Sequence, residues 1–362
     1  MTIASIGERR KPLSFYLLWP LLLGTPWAEA APYIRVMSET LSEPVSVSSA
    51  FGDWGGSFTR GERQWSSNWL EIGYRRGRYG IGALARIDYD LRFDPDTAEI
   101  YYKVNNEQSL AQGRRYTLDL NAKRFHAHGL RFSFQDELSH GVSLSAGLSL
   151  FNTQRLVDGY IRGYATAIND RDYDYRATVD YHYHKDHLFG REVDTPSDGK
   201  GVALDIGLAY RSAHGHQLSL NITDLTSRIW WGEVPHTLAN VRVAEFIYDE
   251  NGQIIGKTGS ITGVESIRSH TTSLLPRWHL AGEYAIDEQW HALLDYRHQY
   301  GHGLYAAGVS FSSGRHTTAL RYWPELGSLG VDYRIGRLKT SLTASGLTPN
   351  QANAYWLNFA WN

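Results

Sequence analysis

Cysteine is absent from the 362-residue chain and methionine occurs only twice. Without thiols there is no disulfide framework and no Cys-ligated metal centre. Strong charge of one sign is also missing, with 36 basic against 38 acidic side chains, so nothing points to nucleic acid. Beyond residue 30 no apolar run approaches the ~20 residues that a membrane-crossing helix needs, and no α-helical period is evident there. A chain that crosses a membrane without such helices must close a β-barrel, the other arrangement that satisfies every backbone amide in hydrocarbon.

The first thirty residues read as an export signal. Arg9, Arg10 and Lys11 form a basic cluster, an apolar run extends from Leu13 to Leu23 through Pro20, and Ala28-Glu29-Ala30 offers small residues for cleavage after Ala30. Its removal leaves 33 basic and 36 acidic residues. What remains is rich in aromatics, with 23 Tyr and 12 Trp, and in glycine, with 35 residues in the whole chain.

Alternation is the main signal. From Tyr79 to Phe93 every second residue is apolar or aromatic, and Arg86, Asp88, Asp90 and Arg92 fall between them. The same period of two places Asp174, Arg176 and Asp180 opposite Tyr175, Val179 and Tyr181. It also places Asp205 and Arg211 opposite Leu204 and Tyr210, and Asp332 and Arg334 opposite Val331 and Tyr333. Asp295 and Arg297 complete a set of thirteen charges assigned to an inner face. Burying four charges of one strand in a dry sandwich core would be costly, whereas a wet lumen accepts them. Ser139-His140-Gly141, Ala213–His216, Asp287-Glu288-Gln289, Ser312-Ser313-Gly314 and Gly336-Arg337 mark tight turns. The spacing therefore predicts an all-β, antiparallel up-and-down transmembrane barrel of about 14–18 strands over residues 64–362. Residues 31–63 are expected to form a lumen plug or a periplasmic tail, with a further strand as the alternative. Val234–Ser269 reads either as two strands about Asn251-Gly252 or as a long loop. His187–Lys200 reads as a polar loop facing outward.

At the C-terminus Tyr355, Leu357, Phe359 and Trp361 share one face. This strand resembles the C-terminal signal of Gram-negative outer-membrane proteins, which ends on an aromatic residue; here Asn362 follows Trp361. The resemblance implies an outer-membrane location and recognition by the barrel assembly machinery. Gly199–Tyr210, Leu218–Trp231 and Leu275–Tyr284 resemble hairpins of the long-chain fatty-acid transporter group of barrels and of their TraF-like relatives. That implies a narrow, plugged barrel for hydrophobic solutes, and no binding residue is carried over.

Three functional classes fit. The first is a passive outer-membrane channel or transporter for small or hydrophobic solutes, with a mixed-charge lumen of weak ion selectivity. The second is a non-conducting barrel serving assembly, secretion or surface-polymer export. The third is a membrane-embedded hydrolase, for which Asp295, His298 and Ser310, or Ser313 and His316, would be the candidates. No Gly-x-Ser-x-Gly elbow accompanies them, so no catalytic residue is assigned. His182, His184 and His187 are the candidate metal ligands, with His126/His128 and His214/His216 as further pairs. No cofactor is expected. The expected partners are outer-membrane lipid and lipopolysaccharide, the assembly machinery and a small solute.

Overall fold

The computed structural model describes residues 30–193 and 198–362. The proposed export signal thus lies outside the described residues, apart from Ala30. Sixteen strands follow one another. They are β1 (Ala31–Ser42), β2 (Arg63–Arg76), β3 (Tyr79–Phe93), β4 (Arg115–Glu137), β5 (Val142–Ala167), β6 (Tyr173–Tyr183), β7 (Gly199–Arg211) and β8 (Gln217–Tyr248). After them come β9 (Ile254–Thr272), β10 (Arg277–Ala285), β11 (Trp290–Gln299), β12 (His302–Ser313), β13 (His316–Trp323), β14 (Ser328–Ile335), β15 (Leu338–Ala344) and β16 (Ala354–Trp361).

All pairings are antiparallel, and the ring closes in two places. β1 pairs with both β2 and β16, and the first half of β8 pairs with both β7 and β10. Without β6 and β9 the closed ring has 14 strands. This agrees with the barrel read from the alternation. The first described residues, the C-terminus and the tight turns at Gly77, Ser139–Gly141, Gly215, Gly314 and Gly336 lie at one end. At the other end β4, β5 and β8 run 23, 26 and 32 residues, well beyond the ~9–11 that span a bilayer. There the far half of β4 stays paired with β5, β5 pairs with β6, and β8 pairs with β6 and β9, building a projection above the ring. Val234–Ser269 is therefore two strands about Asn251-Gly252.

Two corrections concern the expected elements. Ala31–Ser42 is neither plug nor tail but the strand that seals the barrel between β2 and β16. Its alternation (Tyr33, Arg35, Met37, Glu39 and Leu41 inward) is masked in sequence by Ser and Thr on the outer face. Residues 43–62 then form the β1–β2 connection at the end remote from the termini, including the short helix α1 (Val47–Ala50). The second correction is a helix, α2 (Pro95–Asn105), where no helical period was evident. Asp94 caps it by accepting the Asp96 N–H at 2.8 Å, and Pro95 occupies its first turn. Glu99 is held by Arg60 and Arg114, both at 2.8 Å, and by Lys103 at 3.1 Å. An 11-residue helix is marginal alone. This one is stabilised by packing Ala98 and Tyr102 against Phe93, Trp54 and Val45.

The outer wall of the ring carries a band of exposed apolar side chains, among them Ile72, Leu130, Leu150, Leu208, Leu294, Leu320 and Leu329. Tyr79 with Phe134, and Trp290 with Phe311, form aromatic pairs near the terminal end; Tyr296 with Tyr305 does so near the other. Nine residues of β10, at ~3.3 Å each and a tilt of ~40°, reach ~23 Å, close to the ~25 Å apolar band of outer-membrane barrels. Tyr355, Leu357, Phe359 and Trp361 belong to this outer face.

Candidate functional site: a septum across the lumen

Inward side chains from nearly opposite walls meet in the middle of the barrel. Arg86 on β3 donates from Nη1 and Nη2 to the two carboxylate oxygens of Asp224 on β8, each at 2.7 Å. From β10, Arg277 donates to the same carboxylate at 3.1 Å and, across the lumen, to the Ser67 hydroxyl on β2 at 2.6 Å. Ser67 in turn donates to Asp88 at 3.1 Å, and Asp88 accepts from Arg86 Nε at 3.1 Å. Asp224 is 1% exposed and Arg86 2%, so these charges are desolvated and held only by one another. Such a network is stable when every member is satisfied and costly when one is removed.

Asp224 reaches the centre because β8 bulges there. The β7–β8 register shifts between Leu204 and Ile206, and Asp224 takes φ 56°, in the left-handed region rarely used outside glycine. Asp205 fixes the bulge by accepting the Asp224 N–H at 2.7 Å and also pairs with Arg131. Arg131 donates to Ser149 at 3.0 Å, and Glu71 beside it accepts from the Tyr33 hydroxyl at 2.7 Å.

Apolar layers flank this septum towards the projecting end. One contains Leu41, Trp65, Tyr300, Leu304, Trp323 and Trp356, with the Trp65 and Tyr300 rings 5.1 Å apart across the barrel. The other contains Phe125, Phe151, Leu156, Ile229, Trp231 and Val234. The indole N–H groups of Trp65, Trp323 and Trp356 and the amide of Gln299 are buried without a protein hydrogen-bond partner. Ser273–Pro276, the link from β9 to β10, turns over the septum, where Leu274 packs on the second layer and the Ser273 carbonyl accepts from Lys123.

Below the septum, towards the termini, lies a cavity of about 650 Å³. Its lining sets charges of both signs among apolar surface. Arg297 donates to Glu39 at 2.9 Å, Arg321 donates to Asp295 at 2.7 Å and also pairs with Asp332, and Arg334 donates to Thr317 at 3.1 Å. Of the thirteen charges expected inside, Arg86, Asp88, Asp90, Arg92, Asp205, Asp295, Arg297, Asp332 and Arg334 lie on inward positions of the ring strands, and Arg211 stands at the mouth by Gln217. Asp174, Arg176 and Asp180 lie instead on β6, in the projection above the ring. The period of two holds on β6, but there Ala177, Val179 and Tyr181 are the buried side chains rather than lipid-facing ones, because strand period alone does not reveal at what height a strand stands.

The reading missed Asp224, Arg277, Glu39, Glu71, Arg131 and Arg321. Arg277 and Arg131 sit in visible alternation, so phase alone could have found them. Asp224 could not be found that way, because the bulge reverses its face.

The histidine trio is not brought together as a metal site. His182 stacks between His236 and His270, with ring centroids 4.4 and 3.8 Å away, while His184 pairs with His187 elsewhere. Arg268 approaches Nε2 of both His182 and His236, at 3.3 and 2.6 Å, and occupies the place a cation would need. Among the described residues no group of three or more ligating side chains could hold a metal. Burial, with His270, His236 and Arg268 nearby, pushes His182 down to about 4. The hydrolase candidates are likewise dispersed. Asp295 is engaged by His279 and Arg321, His298 and Ser310 face opposite sides of the wall, and His316 is 2.7 Å from the Tyr333 hydroxyl.

No protein-family model and no curated protein matches the chain. Among solved structures, a monoaromatic hydrocarbon channel, TodX with segments S2 and S3 deleted, shares 10% identity at a TM-score of 0.46, covering 92% of this chain and 90% of that one. The Ralstonia pickettii toluene transporter TbuX shares 9% at 0.43 over 92% and 88%. The β-domain of the Bordetella autotransporter BrkA shares 14% at 0.33 over 92% and 99%. The first two are barrels of the fatty-acid transporter group, which the hairpin sequences resemble. None is similar enough to assign the chain to a family, and the fold stands on its own strand pairing. That pairing, with the exposed apolar band, defines a transmembrane β-barrel whose lumen is closed by its own wall.

Proposed function

We propose that the protein is an outer-membrane transporter for small solutes, closed at rest by the Arg86–Asp224–Arg277–Ser67 septum. Residues 1–30 would direct its export, and the barrel assembly machinery would insert it through the β16 signal. The observation that carries this reading is the mixed-charge cavity of about 650 Å³ beneath the ion-paired septum and its apolar layers. That volume falls in the ~300–1,000 Å³ range of small-ligand pockets. A solid structural barrel would have no use for it. Aromatic faces above and opposed charges below suit a solute with an apolar ring or chain and a polar group.

The test is conductance in a planar bilayer. Wild-type protein should show rare openings, and Asp224→Ala or Arg277→Ala should show frequent, steady unitary steps. Silence from both, in protein that still shows a heat-modifiable gel shift, would refute transport. It would favour a non-conducting accessory barrel, a role that the direct wall-to-wall contact of Arg277 with Ser67 would also serve.

A further inference from the structure

Cations gather on the outside of the barrel where β4, β5, β7 and β8 pass from the ring towards the projection. The pairings of β3, β4, β5, β7 and β8 align their outward side chains in rows. One row runs Ala83, Leu130, Leu150, Val202, Arg228, and the next towards the projection runs Ala85, His128, Asn152, Lys200, Trp230. Above these come His126 and Gln154, then Arg124. Arg155 stands in the β5 bulge at φ 60°. Arg124, Arg155 and His184 all lie close enough to His126 to act on its charge, and His184 has His187 beside it. Arg228 lies against the exposed Trp230 ring, 6.0 Å from its centroid.

Two features make this more than a solvated face. Immediately towards the termini the same wall is apolar and exposed, with Leu130 at 48% and Leu150 at 47%, so the cations sit at the edge of the lipid-facing band. At comparable height on the opposite wall the outward residues are Tyr296, Tyr305, Tyr322 and Tyr355, not cations. Of the acids near in sequence, Asp158 is engaged by His270 and Thr272, Asp186 by Tyr181 and Arg191, and Asp224 by Arg86 and Arg277, while Asp198 and Glu233 are exposed beside the ends of β7 and the β8 bulge.

We propose that this patch binds the phosphates of an acylated, phosphorylated glycolipid of the outer leaflet, with its acyl chains on Leu130, Leu150 and their neighbours. Arg124, Arg155, Lys200 and Arg228 supply the charge, and Trp230 supplies a ring at the headgroup level. The inference rests on the outer-membrane placement and adds a defined lipid site to it.

The experiment uses the full mature chain in detergent, first checked for its heat-modifiable gel shift. Absence of that shift would overturn the outer-membrane reading itself. Folded protein is then titrated with diphosphoryl lipid A, with the same lipid stripped of phosphate, and with inorganic phosphate, and bound lipid is counted by native mass spectrometry. Wild-type protein should prefer the diphosphoryl lipid. A charge near an anionic lipid surface is worth roughly fivefold in binding, so Arg124→Gln with Arg155→Gln should weaken binding about 25-fold. Lys200→Gln and Arg228→Gln, both exposed, supply a second pair should the first fail to fold. Arg315→Gln, in a turn at the terminal end, should change nothing. Equal binding of phosphorylated and dephosphorylated lipid, equal binding by the variants, or displacement by inorganic phosphate at the lipid's own concentration would overturn the proposal.

Discussion

Asp224 shows what a single residue contributes. In sequence it is one polar residue in Thr223-Asp224-Leu225-Thr226, with nothing to separate it from a strand residue facing solvent. In the fold it is the common acceptor for two buried guanidinium groups. Asp224→Ala leaves Arg86 and Arg277 desolvated with half their partners, a loss of about 3–5 kcal/mol while the septum remains dry. The expected outcome is a lower temperature for the heat-modifiable gel shift together with raised conductance. Asp224→Asn, which keeps the shape and removes the charge, should fall between. The outer face obeys the opposite rule. Leu294 is 68% exposed on the lipid side, and Leu294→Arg should cost about 2–4 kcal/mol in refolding into bilayers. Lumenal Ser312→Asn, half-buried on the lining of the cavity, should be nearly neutral in the same assay.

Elements differ in how far they could be read. Tyr79–Phe93 was legible because a long strict alternation has few competing explanations. Ala31–Ser42 was not, because Ser38, Thr40 and Ser42 on its outer face, two of them hydrogen-bonded to β2, blur the apolar phase. Since β1 supplies hydrogen bonds to both neighbours, deletion of residues 31–42 should abolish the heat-modifiable barrel, whereas loss of a lumen plug would spare it. Helix α2 was hidden for a different reason. Its stability comes from Arg60 and Arg114, which are distant in the chain or beyond its end. The projection carries its own pH response. The folded pKa of His182 lies at about 4, below the ordinary 6.5, so the unfolded projection binds the proton more readily. Stability from this group is complete above about pH 6.5 and is lost as pH falls towards 4. Hydrogen exchange of β6 and β9 should accelerate over that interval, and His182→Asn should flatten the response.

At the scale of the whole molecule, the ring fixes which walls can meet. Fourteen strands would leave an open lumen if the barrel were round, yet Trp65 stacks on Tyr300 and Arg277 reaches Ser67 from nearly opposite sides. Long inward side chains and the β11–β12 turn therefore fill the lumen towards the projecting end and leave the cavity below it. In the proposed transporter, conductance would then depend on a few side chains rather than on a separate plug domain.

The sequence by itself determined that the chain forms strands, how apolar and polar faces alternate along most of them, and that the inner face carries both signs of charge. These follow from a period of two and from the cost of placing charge in hydrocarbon, which act locally along each strand. Only the tertiary structure decided which charges meet, that β1 closes the ring, that β6 stands above it, and that the lumen is shut. Those outcomes depend on register, bulges and the approach of distant walls, and no local pattern encodes the distance between residues on opposite sides of a barrel.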